Sequence, residues 1–146
     1  MYLKGEYRHK LDAKGRLNLP ASFRKALTKD LVVTLSPKKD YLMVFDDEGF
    51  ENWIKSLFEG VRKDGEEGFR PNNLSLANSR KVLHARARNV ELDNSGRLGV
   101  PSDLRETVSL SKEVVLVGDG DHIEIWDAKR WDEFAESVDL MSLFVD

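Results

Sequence analysis

A chain of 146 residues with 40% hydrophobic content can bury one domain core, and its lack of cysteine excludes disulfide scaffolds and thiolate metal centres. The five cations of residues 1–20 come without an apolar h-region, and no apolar run nears the ~20 residues of a bilayer-spanning helix, so neither a signal peptide nor a membrane span is expected. The net charge of −3 conceals a polarity: residues 1–29 hold eight basic side chains against two acidic ones, and residues 119–146 hold nine acidic ones against Lys129 and Arg130. A basic head on an acidic, cytoplasmic chain predicts a local anion-binding face, although the pI of 5.7 falls short of the usual nucleic-acid-binding domain. Head-to-tail charge pairing within the fold or between subunits is the competing reading.

The first predicted strand runs through Leu3, Gly5, Tyr7, His9 and Leu11, which alternate with Lys4, Glu6, Arg8 and Lys10. Asp12-Ala13-Lys14-Gly15 follows, with Asp first and Gly fourth, the chemistry of a type I turn running into a left-handed glycine. A hairpin is therefore predicted, its returning strand carrying Leu17 and Leu19. Pro20 ends that strand and opens a short helix with Phe23, Ala26 and Leu27 on its apolar face. Strands over 31–35 and 41–45 flank a loop over 36–40, and Asp46 suits the N-cap of a helix whose stripe is Phe50, Trp53, Ile54, Leu57, Phe58 and Val61. Residues 63–71 read as a loop, and Asn73 could cap a helix to about Val82. Strands over 114–117 and 122–126 surround a turn at 118–121. Asp127 then caps a last helix with the stripe Trp131, Phe134, Ala135, Val138 and Met141.

These elements occur twice. Asp12 to Pro20 reappears as Asp93 to Pro101, an offset of 81 residues that also relates Arg24 to Arg105, Leu35 to Leu116, Asp46 to Asp127 and Phe45 to Trp126, without a gap from 11 to 57. Two copies of one module are implied. The expected organisation is a first module over 1–58, a helical connector over 59–81 and a second module over 82–146. The fold class is mixed α+β and β-rich, with both halves closing into one barrel about a pseudo-twofold axis and helices flanking it; two independent domains are the alternative, disfavoured because each half alone is small for a stable core.

Two D-x-x-G-R-[hydrophobic]-x-[hydrophobic]-P segments, at Asp12–Pro20 and Asp93–Pro101, resemble the hallmark of the MraZ family of bacterial transcriptional regulators. Each copy is also similar to the swapped-hairpin DNA-binding module of AbrB and related regulators and antitoxins. The resemblance implies a duplicated AbrB-like swapped-hairpin barrel, a ring-shaped homo-oligomer, and action at promoter repeats of the division and cell-wall gene cluster, in the cytoplasm and on the nucleoid. It makes Asp12/Arg16 and Asp93/Arg97 the family's paired positions, and matches Arg24 and Arg105 to the arginine that follows the proline.

Double-stranded DNA is thus the expected partner, with no cofactor, metal, membrane or small-molecule substrate. Arg8, Lys10, Lys14, Arg16, Arg24, Lys25, Arg97 and Arg105 are the candidate contacts. Long cations on a rigid support suit phosphates, and the arginine fork suits guanine O6 and N7. Gly15 and Gly96 are turn-formers, and Gly15 offers a side-chain-free corner to an approaching duplex. Asp12 and Asp93 are read as structural, accepting turn N–H groups and orienting the arginines. On the competing reading those arginines are only halves of fold-stabilising ion pairs. Arg8, Lys10, Lys14 and Lys25 become Asn89, Glu91, Ser95 and Glu106 at the same offset, so the first copy is expected to make most DNA contacts.

Other chemistries fit less well. An aspartic dyad of Asp12 and Asp93 would need a shared proton, which an Arg four residues after each disfavours. His9, His84 and His122 lack metal-ligand spacing, and His9 is expected to pack on the apolar face of its strand. Gly118-Asp119-Gly120 is a turn, not a phosphate loop. The apolar tail over 140–145 supports an alternative function, an oligomeric antitoxin-like module that binds a protein through its acidic, apolar C-terminal helix.

Overall fold

The computed structural model describes residues 2–59 and 74–145, so the loop expected at 63–71, the Asn73 cap and the stripe residue Val61 lie outside the described residues. Among the described residues the strands are β1 (Leu3–Lys10), β2 (Arg16–Asn18), β3 (Asp30–Leu35), β4 (Leu42–Asp46), β5 (Arg88–Glu91), β6 (Arg97–Gly99), β7 (Glu113–Gly120) and β8 (Ile123–Asp127). The α-helices among these residues are α1 (Ala21–Ala26), α2 (Asp47–Glu59), α3 (Leu74–Arg86), α4 (Ser102–Thr107) and α5 (Ala128–Ser137), and a short 3-10 turn follows at Leu140–Leu143.

Period-2 alternation sends Leu31, Val33, Leu42, Val44, Val114, Leu116, Ile123 and Ile125 to one face of a six-stranded sheet of order β1-β7-β8-β4-β3-β5. Exchanging the two halves reverses this order and leaves it unchanged. A second, two-stranded sheet pairs β2 with β6 and lays Leu17 directly opposite Leu98, both fully buried against the large sheet. Phe23 of α1 and Leu104 of α4 complete this main core. On the outer face of the large sheet, Val32, Met43 and Phe45 bury the stripe Phe50, Ile54 and Phe58 of α2. Asp46 caps α2 through the Gly49 N–H at 2.7 Å, and Asp127 caps α5 through the Arg130 N–H.

Three expectations change. First, β1 and β2 do not form a paired hairpin. One ladder bond, Asp12 N–H to the Arg16 carbonyl at 3.0 Å, closes the turn, and the arms then part: β1 pairs with β7 and β2 with β6. Parting lets Leu11 and Leu17 both reach the core. Second, no pairing among the described residues joins the edge strands β1 and β5, so the sheet is open rather than a closed barrel. The core is instead closed by packing of the β2–β6 ribbon and of α1 and α4.

Third, the repeat is not gapless. Leu31 faces Asp46 as Val114 faces Asp127, and Leu35 faces Leu42 as Gly118 faces Ile123, so β3 and β7 correspond at an offset of 83, not 81. Two residues are gained before β7 and two are lost from the following turn, which restores the offset of 81 in β8. Leu116 thus answers to Val33, not Leu35. Gly118 stands where Leu35 stands, and a Cβ there would lie 2.5 Å from the Lys4 backbone nitrogen. That close approach lets β1 run back to Leu3, whereas its counterpart β5 has four residues. The helices shift as well: α3 continues to Arg86, and α5 stops at Ser137, leaving Phe134 and Val138 nearly half exposed.

Candidate nucleic-acid interface

Each Asp-x-x-Gly-Arg turn is organised by its own carboxylate. Asp12 Oδ1 accepts from the backbone N–H groups of Lys14 at 2.9 Å and Arg16 at 2.8 Å, while Oδ2 accepts from Arg16 Nε at 2.7 Å. Asp93 does the same with Ser95 N at 2.9 Å, Arg97 N at 2.9 Å and Arg97 Nε at 2.8 Å. Gly15 and Gly96 adopt φ of +75° and +76°, the left-handed conformation that only glycine takes without strain. The Arg16 backbone N–H, more than its side chain, holds the Asp12 carboxyl below its ordinary 3.8, against an opposing effect of desolvation. Arg97 does the same for Asp93. Each carboxylate thus accepts two turn N–H groups and the Nε–H of its own arginine, and each Asp is engaged by that arginine rather than by the other Asp.

Nε is the arginine atom that the carboxylate takes. Among the described residues the Nη groups of Arg16 and Arg97 have no hydrogen-bond partner, so the outer edge of each guanidinium stays free. Ribbon register puts both on one face. Arg16 lies opposite Gly99 and Asn18 opposite Arg97, while Leu17 and Leu98 point the other way into the core.

Sequence reasoning missed how the halves brace each other. The Gly15 carbonyl accepts from Val100 N at 3.0 Å, and the Gly96 carbonyl accepts from Leu19 N at 3.4 Å. Arg105 lies over Gly15 and Arg24 over Gly96, so that a Cβ on either glycine would meet the guanidinium at 2.5 Å. Arg105 is further fixed by its Nε donating to the Val100 carbonyl at 3.1 Å. Each turn thus carries one arginine from its own half and one from the other. This corrects the role expected of Gly15: the space above it is filled by Arg105 and is not open to a duplex. The only sequence signal was the equal spacing of both arginines from both motifs.

The remaining predicted cations divide. Lys10, Lys14 and Lys25 are exposed, with Lys14 on the first turn itself. Arg8 is committed elsewhere: its guanidinium pairs with Asp132 of α5, a contact that raises its pKa, and Glu6 lies 3.9 Å away. In the second copy Arg88 of β5 is likewise committed, in a two-pronged pair with Asp103 at 3.1 and 2.7 Å. His9 is half-buried, in keeping with a packed histidine.

The paired turns frame the comparisons with known proteins. The family model of the MraZ protein, whose description adds antitoxin-like, matches residues 2–69 and 83–145. The chain belongs to the MraZ family. It is 32% identical over 133 residues to a protein named transcriptional regulator MraZ from Mycoplasmoides gallisepticum, covering 91% of this chain and 87% of that one. A protein of the same name from Natranaerobius thermophilus is 33% identical over 138 residues, covering 92% and 87%. One from Mycobacterium sp. (strain KMS) is 37% identical over 133 residues, covering 91% and 86%. Both MraZ match segments contain one complete turn. None of the helices described is long and apolar enough to cross a membrane.

Proposed function

We propose that this MraZ-family chain is a non-enzymatic transcriptional regulator that binds double-stranded DNA with the arginine face of the β2–β6 ribbon. The observation that carries the reading is the cross-braced pair of turns, which gathers Arg16, Arg24, Arg97 and Arg105 around one ribbon with the Nη groups of Arg16 and Arg97 unengaged. A guanidinium whose Nε is clamped loses little rotamer freedom when its outer edge meets a base or phosphate, and preorganisation of this kind favours affinity. A two-stranded ribbon has the width to enter a major groove. Lys14, exposed on the first turn, extends the cationic surface on the first-copy side, where phosphate contacts fall.

In its full form the reading takes residues 1–58 and 82–146 as two AbrB-like modules. A homo-oligomeric ring on the nucleoid would present several such faces to promoter repeats of the division and cell-wall cluster, which multiplies modest single-site affinity. The test is a gel shift on the chain's own upstream DNA across a salt series, with solution mass in parallel. Specific retardation that weakens steeply with salt supports the reading. Undiminished binding after neutralising Lys10, Lys14 and Arg16 together would overturn it.

A second reading has its own observation. Leu140, Met141, Leu143, Phe144 and Val145 are each at least 64% exposed, an apolar tail left uncovered by the described residues. It fits a protein-binding, antitoxin-like role. Capture of a partner that depends on this tail, with no promoter shift, would favour it.

A further inference from the structure

We propose that Asp119, His122 and Glu124, at the β7–β8 turn, form a binding site for a first-row divalent transition metal of the zinc class. One nitrogen and two carboxylate oxygens from these side chains lie within 4.8 Å of one another. His122 Nε2 is 2.8 Å from Glu124 Oε2 and 3.9 Å from Asp119 Oδ2. A tetrahedral ion with bonds of about 2.0–2.1 Å needs donors roughly 3.4 Å apart, between these two spacings.

The surroundings fit a metal as well as the donors do. His122 Nδ1–H donates to Asp121 Oδ1 at 2.7 Å, which fixes the ring and aims Nε2 at the other two ligands. A carboxylate behind a ligating imidazole is the recurrent outer partner of metal-bound histidine. Trp126 Nε1 donates to Glu124 Oε1 at 2.9 Å and so orients Oε2. Three carboxylates surround one imidazole, leaving an excess of negative charge for a cation. Asp119 and Glu124 also line a cavity of about 460 Å³, with room for a water in a fourth position.

Nothing in the fold demands this set. At the corresponding places of the β3–β4 turn stand Ser36, Tyr41 and Met43, which hold no ligand set. That turn closes with the Ser36 hydroxyl accepting from Asp40 N and Tyr41 N. Met43 and Glu124 are paired neighbours across β4 and β8, so the same sheet position is apolar in one half and anionic in the other. The His122 and Glu124 side chains are each only 9% exposed. Burying an ion pair costs solvation that an apolar pair would not, so stability alone is a weak reason for its presence. The site is independent of the DNA face.

Untagged full-length chain, stripped with chelator and dialysed, would be titrated with zinc by calorimetry and with cobalt by visible absorption. One metal per chain at micromolar affinity or tighter is expected. Asp119→Asn should weaken zinc at least tenfold and Asp121→Asn by about 10–100-fold. Both positions are solvent-exposed, so these variants decide the matter even if His122→Gln, expected to abolish binding, fails to fold. No saturable binding, or zinc affinity reduced less than tenfold in Asp119→Asn, overturns the proposal; the second result would place the ion elsewhere, for instance at His84 and Glu51.

Discussion

In the two Asp-x-x-Gly-Arg turns the halves are alike down to carboxylate hydrogen-bond lengths that agree within 0.1 Å, whereas on the outer face of the sheet they have little in common. There α2 buries Phe50, Ile54 and Phe58 in the first half, while α5 buries only Ala128 and leaves Trp131 and Phe134 partly exposed over Trp126. The difference follows from what each region must satisfy. Turn and ribbon residues pack against their own counterparts in the other half, so a change in one is felt by both. Outer-face residues meet unlike helices and are free to diverge. Symmetry therefore persists where the halves touch through equivalent atoms.

The most severe way to break the comparison lies at its centre. Leu17→Ala and Leu98→Ala each remove a fully buried side chain from the one directly self-paired position of the ribbon, and each should lower unfolding free energy by about 2–5 kcal/mol. Because the two face each other, the double variant should depart from the sum by about 0.5–3 kcal/mol. Urea unfolding measures all three. A cost for one leucine below half that of the other would show that the halves are unequal even here.

Next comes DNA. Arg16→Ala should weaken promoter binding by about 1–3 kcal/mol if its fork reads a base, roughly 5–150-fold. Arg97→Ala should cost less, since Glu91 and Ser95 stand where Lys10 and Lys14 do in the first copy. Lys14→Ala should leave sequence preference intact and reduce the salt slope by about one. Equal losses for the two arginines would show that turn geometry alone governs and that the flanking charges are incidental.

Much of this was legible in the chain. Period-2 alternation and Pro20 placed β1, β2 and α1 within a residue or two. Asp46 and Asp127 marked both caps, and the spacing of Asp12, Gly15 and Arg16 foretold the clamp. Partner choice was not legible, because the alternation of β1 suits β2 and β7 equally. Only the need to bury Leu11 and Leu17 together separates them. The two-residue shift of β3 against β7 was hidden because Val33 and Leu35 are both apolar, so either could align with Leu116. Arg24 and Arg105 were found as cations, but not as braces across the halves, since the crossing depends on a ribbon pairing that sequence does not display. The ligand group at His122 escaped because its donors straddle a turn whose length differs between the copies.

Acid should sharpen the likeness of the turns. Asp12 and Asp93 have folded pKa values below the ordinary 3.8, so their contribution is fully present above that value and is lost as pH falls through the lower folded values. Asp12→Asn and Asp93→Asn should therefore lower Tm by similar amounts at neutral pH, with the deficits disappearing together in strong acid. Thermal melts across that range check it, and a deficit in one variant alone would separate the turns.

The smallest expected effect concerns the outer face of the first half. His84 on α3 donates Nδ1–H to the Arg80 carbonyl at 3.0 Å and Nε2–H to Glu51 of α2 at 2.6 Å. The carbonyl first and Glu51 second raise its pKa above 6.5, against an opposing effect of burial. A raised histidine stabilises most below its unfolded value and loses that contribution as pH climbs through the folded one. The Tm difference between wild type and His84→Gln should hence be small, greatest below pH 6.5, and vanish at higher pH. A flat profile for His84→Gln would mean that the Glu51 pair adds nothing to the apolar packing of Leu76 and Leu83 against the α2 cluster.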